Sequence, residues 1–247
     1  MNTPPRIGAI IEARMRSTRL PGKVLLEAAG KPFLHHMIER VSRVREIDTI
    51  VIATTDDPSC DPIEALGEKI GTAVFRGSED DVMARVLGAA KTEDIDVIVE
   101  LTGDCPLIDP LIISDVINAF TSGAADYAAN IFESGYPLGM EAQVFPRRVL
   151  ADAASRTDRP NDHEHVSLYI YQHPETYRIQ KVGARENLLA PEQRLTLDTP
   201  EDLKVISSVF EALYPSNPEF GLTDMLSFLA NNPAIATHNQ NIVQNTV

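Results

Sequence analysis

Residues 7–23, which read IGAIIEARMRSTRLPGK, decide how the rest of this chain is interpreted. The segment opens with a mostly apolar run, 7–13, that is short enough for a buried strand. It continues into a polar turn, in which Pro21-Gly22 is a loop signal. The turn holds four cations within ten residues: Arg14, Arg16, Arg19 and Lys23. A basic, glycine-containing loop directly after a strand presents cations and backbone N–H groups to anionic oxygens, so we predict a polyphosphate site here. A solvated basic turn is the alternative.

The composition narrows the class of protein. The 247 residues carry 22 Lys and Arg against 36 Asp and Glu, a net charge of −14. This balance argues against a nucleic-acid partner and against an anionic membrane surface. No secretory signal and no apolar run of about 18 residues is evident. The two cysteines, Cys60 and Cys105, make neither a disulfide framework nor a metal-ligand cluster, and we expect a soluble cytoplasmic protein.

Strand-like and helix-like patterns alternate through the first half of the chain. After the first strand, further strands are predicted at 49–54, 72–75 and 96–101, with helices between them. This alternation favours an α/β fold, with a mostly parallel central sheet and helices on both faces. No repeat or linker divides the chain, so we predict a single domain, residues 1–247.

The pattern is less regular after residue 125, and the segment at about 125–177 is a candidate acceptor and dimerisation region. Short strands are predicted at 127–130, 140–145, 177–182 and 194–197, and helices at 147–154, 163–172, 200–213 and 222–230. The tail from Pro233 is polar, and we expect it to pack loosely.

Two acidic residues each follow a predicted strand. Asp104 comes after strand 96–101, and Asp198 comes after the short strand 194–197. Ligands of parallel sheets bind beyond the carboxyl ends of the strands, where the basic loop also lies. If the two strands are neighbours, both carboxylates converge on one hard cation such as Mg²⁺. The alternative is an ordinary helix start, because Pro106 and Pro200 follow these residues closely.

Three motifs resemble those of the cytidylyltransferases that make CMP-activated acidic sugars. Residues 13–23 (ARMRSTRLPGK) resemble the signature A-R-x-x-S-T-R-L-P-G-K, residues 103–108 (GDCPLI) resemble G-D-x-P-L-I, and residues 198–202 (DTPED) resemble D-T-P-E-D. The pattern is nearest to the spore-coat polysaccharide enzymes of SpsF type. It is more distant from the 3-deoxy-manno-octulosonate cytidylyltransferases, which have Glu where this chain has Cys105.

The resemblance implies a three-layer, Rossmann-like nucleotidyltransferase fold of the GT-A-like kind. It also implies CTP and an acidic sugar as substrates, Mg²⁺ as cofactor, pyrophosphate as the second product, and a homodimer. A phosphate-bearing acceptor stays open as an alternative, with Arg147 and Arg148 as its candidate cations. A regulatory protein that binds the nucleotide without turnover is a further alternative. A dehydrogenase is disfavoured, because the dinucleotide glycine pattern is missing.

The resemblance also distributes roles among the residues. Catalytic roles fall on Arg14, Lys23 and Asp104, and metal binding falls on Asp104 and Asp198. The expected nucleotide-binding residues are Ala13, Arg14, Ser17, Thr18, Arg19, Lys23, Arg76, Gly77, Ser78 and Asp104. Of these, residues 76–78 are expected to read the cytosine.

The acceptor is assigned to four residues of the second half: Glu141, Gln143, Glu164 and His165. His163 and His165 do not share a helix face, so a zinc site is not expected. A capped helix start is the alternative for residues 76–81 and 162–166, and a solvated strand-edge carboxylate is the alternative for Glu141.

Overall fold

A seven-stranded sheet forms the centre of the molecule in the computed structural model, which describes residues 4–244. The described residues form nine strands, seven of which belong to this sheet. They are β1 (Ile7–Glu12), β2 (Glu27–Ala28), β3 (Lys31–Pro32), β4 (Thr49–Thr55), β5 (Ala73–Gly77), β6 (Val97–Thr102), β7 (Tyr127–Ala129), β8 (Gln143–Pro146) and β9 (Ile179–Lys181). The order in the sheet is β5-β4-β1-β6-β8-β7-β9, and β2 and β3 form a separate small hairpin.

Only β8 runs against the other strands of the large sheet in the described part of the chain. It is antiparallel to both β6 and β7, whereas all other neighbouring pairs are parallel. The predicted mostly parallel sheet is therefore confirmed. The carboxyl ends of β1, β4, β5 and β6 lie at one edge, and the loops that follow them form the crevice described below.

Helices cover both faces of the sheet. They are α1 (Phe33–Val41), α2 (Asp61–Ile70), α3 (Val82–Thr92), α4 (Pro110–Ser122), α5 (Arg147–Ala154), α6 (Pro160–Glu164), α7 (Leu168–Gln172), α8 (Pro200–Leu213), α9 (Leu222–Asn231) and α10 (Pro233–Ala236). Because side chains alternate along a strand, Val99 packs in the core under α1, α4 and α8, and its neighbour Ile98 packs in the core under α3 and α5. The three-layer arrangement is as predicted.

The segment before Asp198 differs from the prediction. Residues 194–197 form no strand, and only Arg194 makes an isolated bridge, to Leu138. The segment is nevertheless extended and tied down, since the Leu197 N–H donates to the Asp104 carbonyl at 2.7 Å. The segments beside residues 194–197 are themselves irregular loops, so no neighbouring strand is available for a regular pattern of β-sheet hydrogen bonds.

The polar tail also differs from the prediction of loose packing. Residues 233–236 form α10, and Asn239 is only 3% exposed. The side-chain amide of Asn239 donates to the Arg194 carbonyl at 3.0 Å and to Asp202 Oδ1 at 2.9 Å. Hydrogen bonds to these two buried acceptors therefore hold the tail against the fold, although its polar composition predicted exposure to solvent.

None of the helices between residues 4 and 244 has the length and apolar character that crossing a bilayer requires.

Candidate active site

The basic loop is folded back on itself. The Gly22 N–H donates to the Met15 carbonyl at 2.9 Å, and Gly22 has φ 68°, the left-handed region that glycine tolerates without strain. The reversal ends in a single 3₁₀ turn, Lys23–Leu25, which directs the Lys23 side chain into the crevice. The glycine of the Pro-Gly signal thus determines where the lysine points.

Lys23 joins the two acidic residues. Its ammonium donates to Asp104 Oδ2 at 3.0 Å and to Asp198 Oδ1 at 2.8 Å, and its side chain is only 13% exposed. Burial opposes the charged ammonium, but the charges of Asp104 and Asp198 outweigh it and raise the pKa of Lys23. Burial likewise opposes the Asp104 carboxylate, and attraction to Lys23 prevails and lowers the pKa of Asp104. The structure therefore brings Asp104 and Asp198 within reach of a single cation.

Three arginines extend from this point along the loop. Arg19 lies 3.3 Å from Asp198 Oδ2, Arg14 lies 3.7 Å from Glu79 Oε1, and Arg16 pairs with Asp57 at 2.7 Å. Each of the three side chains is more than one third exposed. They are held loosely enough at the surface to exchange carboxylates for an anionic ligand.

The remaining loop residues have structural positions. Ala13 is buried and its N–H donates to the Ala53 carbonyl at 3.2 Å. Ser17 Oγ accepts from the Leu20 N–H at 3.3 Å and so shapes the turn, while Thr18 is exposed. Their predicted role in nucleotide binding stays a prediction.

The side chain of Arg76 is held by residues of α2 and of the loop before it. Its guanidinium donates to Asp61 at 2.7 Å and Glu64 at 2.6 Å, both on α2, and to the carbonyls of Thr55 and Asp57. The guanidinium is thus turned towards α2 and its donors are occupied, and nucleotide binding by this residue stays a prediction.

The two residues after Arg76 remain at the crevice. Gly77 ends β5, and Ser78 is exposed. Ser78 Oγ accepts from the Asp81 N–H at 3.0 Å, and Asp81 in turn caps α3 by accepting from the Ala84 N–H. The capped helix start is therefore present, and base reading by Gly77 and Ser78 stays a prediction.

The predicted acceptor residues fall into two groups, of which the first lies next to Asp104. Glu141 Oε2 accepts from the Gly139 N–H at 2.7 Å. Burial raises the pKa of Glu141 to about 7, and the negative charge of Asp104 acts in the same direction. Gln143 starts β8 opposite Glu100 of β6, and its amide donates to Glu100 Oε1 at 3.1 Å.

The second group lies on α6 and at its end. Glu164 is exposed, and His165 is half-buried where the helix terminates. The neighbouring His163 holds the helix in place, because Nδ1 lies 2.9 Å from Asp81 Oδ1 and Nε2 lies 3.0 Å from the Thr157 carbonyl. His163 therefore ties α6 to the start of α3, a role that the sequence did not indicate.

A buried network behind Asp198 was also missed. Arg194 is 7% exposed, and its guanidinium donates to Asp198 Oδ2 at 3.0 Å and to both carboxylate oxygens of Asp202 at 2.8 and 3.1 Å. Asp202 also accepts from the backbone N–H groups of Asp198 and Thr199. The only sequence signal for this network was the spacing of Arg194, Asp198 and Asp202, four residues apart.

The donor set at this point suits a hard cation. The two carboxylates share one ammonium, and the Cys105 thiol beside them stays protonated because burial raises its pKa well above the usual range. Among residues 4–244, no group of three or more His, Cys, Asp or Glu side chains is arranged to hold a metal. Asp104 and Asp198 offer two carboxylate ligands, which suits a Mg²⁺ ion that takes its other oxygen ligands from bound phosphates and water.

Comparison with known proteins identifies the family of this site. A sequence model described as cytidylyltransferase matches residues 8–226, which contain the basic loop, Asp104 and Asp198. The chain belongs to the cytidylyltransferase family. The resemblance that the three motifs indicated is therefore confirmed.

Two curated relatives of this cytidylyltransferase show the same order of similarity as the motifs. The spore coat polysaccharide biosynthesis protein SpsF of Bacillus subtilis is 37% identical over 237 residues, with 94% of this chain and 97% of that protein covered. A 3-deoxy-manno-octulosonate cytidylyltransferase of Anaeromyxobacter dehalogenans is 30% identical, with 86% and 93% covered.

Solved structures give the same result for the fold. A cytidylyltransferase from Leptospira borgpetersenii is 32% identical and superimposes with a TM-score of 0.89, over 98% of this chain and 100% of that one. A CMP:2-keto-3-deoxy-manno-octonic acid synthetase, solved with CTP, has a TM-score of 0.61 at 20% identity, over 83% of this chain and 98% of that one. The nucleotidyltransferase fold expected from the sequence is confirmed.

Proposed function

We propose that this cytidylyltransferase transfers CMP from CTP to an acidic sugar, with Mg²⁺ as cofactor and pyrophosphate as the second product. The observation that carries the proposal is the contact of one ammonium, Lys23, with two carboxylates, Asp104 and Asp198, beneath a loop of exposed arginines. Such an arrangement offers both a cation site and a polyphosphate site at one point. The names of the octulosonate relatives support an acidic sugar as the acceptor.

The reaction needs positioning and charge neutralisation from the chain, with no covalent enzyme intermediate. The anomeric hydroxyl of the sugar forms a new bond to the α-phosphorus and gives up its proton, and the bond to the pyrophosphate oxygen breaks. Lys23 exchanges a carboxylate for a phosphate oxygen, and Arg14 and Arg19 grip the triphosphate. Mg²⁺, bound by Asp104 and Asp198, would supply additional charge neutralisation at the transferring phosphate.

A phosphate-bearing acceptor has less support from the structure. Its candidate cations, Arg147 and Arg148, begin α5 directly after Pro146. Pro146 pairs with Val97, the first residue of β6, whereas Asp104 follows the last residue of that strand. The two arginines therefore lie at the opposite edge of the sheet from the crevice, which removes them as a phosphate site there.

Pyrophosphate release with each of the four nucleoside triphosphates, Mg²⁺ and a panel of ulosonic and nonulosonic acids tests the proposal. We expect release with CTP and at least one acidic sugar, and none after chelation of divalent cations. Release with CTP and a sugar phosphate, but with no acidic sugar, would support the alternative acceptor. Equal release with all four triphosphates would reject the assignment of the base.

We also infer that the enzyme works as a homodimer, as the family resemblance implies. Light scattering after size-exclusion chromatography should give about twice the 27.1 kDa of one chain. A mass of one chain at assay concentrations would contradict this inference and leave the transfer reaction unaffected.

A further inference from the structure

Two glutamates interrupt the apolar strands at the centre of the sheet. Glu12 ends β1, and Glu100 lies in the adjacent β6. The register pairs Ile10 with Glu100 and Glu12 with Thr102, so the two glutamates are two positions apart and on the same face of the sheet. Glu100 is only 4% exposed. A buried acid, with a second acid beside it on the neighbouring strand, needs a reason beyond packing.

Each of the two carboxyl groups has one buried oxygen without a hydrogen-bond partner among the described residues. Glu12 Oε1 and Glu100 Oε2 are buried and accept no hydrogen bond from residues 4–244. The other oxygen of Glu100 accepts from the Gln143 amide at 3.1 Å. A buried acceptor without a donor is destabilising, so each of these oxygens would gain from a donor that a ligand brings.

The surrounding side chains direct few donors at these two oxygens. The Tyr127 hydroxyl donates to the carbonyl oxygen of the Gln143 amide, and the Ser167 hydroxyl is shared between that oxygen and Glu100. The nearby guanidinium of Arg85 is directed to the Ser78 carbonyl, and its Nε is itself without a partner. In the part of the chain that the structure describes, Arg85 makes no ion pair with Glu12 within 4 Å.

The pair of glutamates adjoins the transfer site. Glu12 directly precedes Ala13 and Arg14, and its carbonyl accepts from the Gly103 N–H at 2.8 Å, next to Asp104. Gly103 permits this approach, since a Cβ there would lie 2.6 Å from the same carbonyl oxygen. Glu12 and Gln143 are both partly exposed, while Glu100 lies deeper, so the cluster opens towards the crevice.

We propose that Glu12, Glu100 and Gln143 form a subsite for a hydrogen-bond-donating group of the acceptor sugar, a hydroxyl or an ammonium. This inference rests on the proposed function and specifies how the acceptor is oriented. The sugar's carboxylate is drawn to the cations of the loop, so it faces away from this subsite. The donor-bearing tail of the sugar then faces Glu100. The subsite selects a hydrogen-bond donor, which the acceptor sugar can supply as either a hydroxyl or an amino group.

The first test compares acceptors that differ in one group. For the acidic sugar that the wild-type enzyme uses, a set of analogues replaces each tail hydroxyl by hydrogen or by an amino group. We expect one deoxy analogue to raise the acceptor KM by about tenfold or more in wild-type enzyme, because it leaves a buried hydrogen-bonding group without its partner. In E100Q the same replacement should change KM by less than about twofold, because the partner of that group has been altered. An amino analogue that binds better than the hydroxyl form, with this advantage lost in both E12Q and E100Q, identifies an ammonium as the preferred donor.

The controls separate this proposal from the proposed function. The KM for CTP should stay within about twofold in E12Q and E100Q. E46Q is the matched control, because Glu46 also accepts from two neutral donors, Ser114 and Asn118, on α4 away from the crevice. Wild-type enzyme that turns over no acidic sugar overturns the proposed function. An active enzyme in which E12Q and E100Q change no acceptor KM, or change only the KM for CTP, overturns the subsite alone.

Thermal unfolding provides a readout that does not depend on activity. The new amide of E100Q can donate to Glu12 and fill the donor shortage, so we expect an unchanged or higher Tm. A pair of carboxyl groups that share a proton would also keep its hydrogen bond in E100Q, so the deciding comparison is the rise in Tm that the acceptor sugar causes. This rise should be clearly smaller in E100Q than in wild type, and an equal rise in both would overturn the subsite.

Discussion

Arg194 and Asp198 are fixed to one another by a buried hydrogen bond of 3.0 Å that uses only one oxygen of the carboxylate, Oδ2. The other oxygen, Oδ1, is left to face Lys23. Arg194 can hold this orientation because Asp202 and the tail residue Asn239 fix it in turn. The orientation of a carboxylate in the crevice is therefore set by a network reaching the end of the described chain.

Replacing Arg194 by Lys tests this relationship. Lysine keeps the charge but has no planar fork to contact Asp198 and Asp202 together. We expect turnover to fall by about tenfold or more and the Mg²⁺ concentration for half-maximal activity to rise, with CTP affinity in chelator nearly unchanged. R178K is the matched control, because the exposed Arg178 makes a similar two-pronged contact with Asp126 at the surface. Equal effects of the two substitutions would show that Arg194 does not position Asp198.

Truncating Asn239 to Ala removes two buried hydrogen bonds, to the Arg194 carbonyl and to Asp202. We expect a loss of about 1–3 kcal/mol in the free energy of unfolding, because a buried acceptor is left unpaired. Chemical denaturation measures this loss. N231A is the comparison, since Asn231 makes a single exposed bond to the Ser227 carbonyl and should change stability far less.

Neutralising either carboxylate beneath the loop should abolish most of the activity. For D104N and D198N we expect turnover to fall by at least about a hundredfold, because each loses the charge needed for a cation at the transferring phosphate. D115N, at an exposed pair with Arg185, is the control and should retain activity. If saturating Mg²⁺ restored wild-type turnover in either variant, the carboxylate replaced in that variant would not belong to the proposed metal site.

His163 should make stability depend on pH. Both ring nitrogens face acceptors, the Thr157 carbonyl and the Asp81 carboxylate, so the ring must be doubly protonated to bond both, and these partners raise its pKa. A raised pKa stabilises the fold fully below about pH 6.5, and this contribution is lost as pH rises through the folded-state value. We expect H163Q to lower Tm by about 1–3 °C at pH 6 and by less at pH 9.

A Tm difference between H163Q and wild type that is the same at both pH values would contradict a charged His163. H173Q is the control, since His173 bonds only a carbonyl, that of Tyr169, through Nδ1.

The neighbouring His165 should affect the acceptor and not the nucleotide. It is half-buried at the end of α6, in the half of the chain that the sequence assigns to the acceptor, and imidazole can serve as donor or cation near neutral pH. We expect H165A to raise the acceptor KM or lower turnover while CTP binding stays nearly unchanged. A collapse of CTP affinity with normal acceptor parameters would assign this residue to the nucleotide.

Sequence patterns were sufficient where a residue's environment is set by its own strand. The run at residues 96–101 predicted β6, and the loop signals predicted the turn that directs Lys23. The patterns failed where the environment comes from distant contacts. The ion pairs of Arg76 were not predicted, because the acids that hold it, Asp61 and Glu64, belong to another element.

The buried glutamates and the tail illustrate the same limit. Glu12 and Glu100 are visible in the sequence as acids within apolar runs, but only the register of β1 and β6 shows that they are neighbours. Asn239 has the polarity of a solvated tail, and its burial depends on two acceptors that lie far away in the sequence. Long-range hydrogen-bond partners of polar residues leave little trace in local patterns.

The position of Lys23 has a consequence for the order of events in catalysis. The Lys23 ammonium already contacts both Asp104 and Asp198, so the nucleotide-free chain carries an internal competitor for the proposed metal. A triphosphate that draws Lys23 towards its oxygens removes this competitor and exposes both carboxylates. We therefore expect metal and nucleotide to bind cooperatively, with weak metal binding by the free enzyme and much tighter binding once CTP is present.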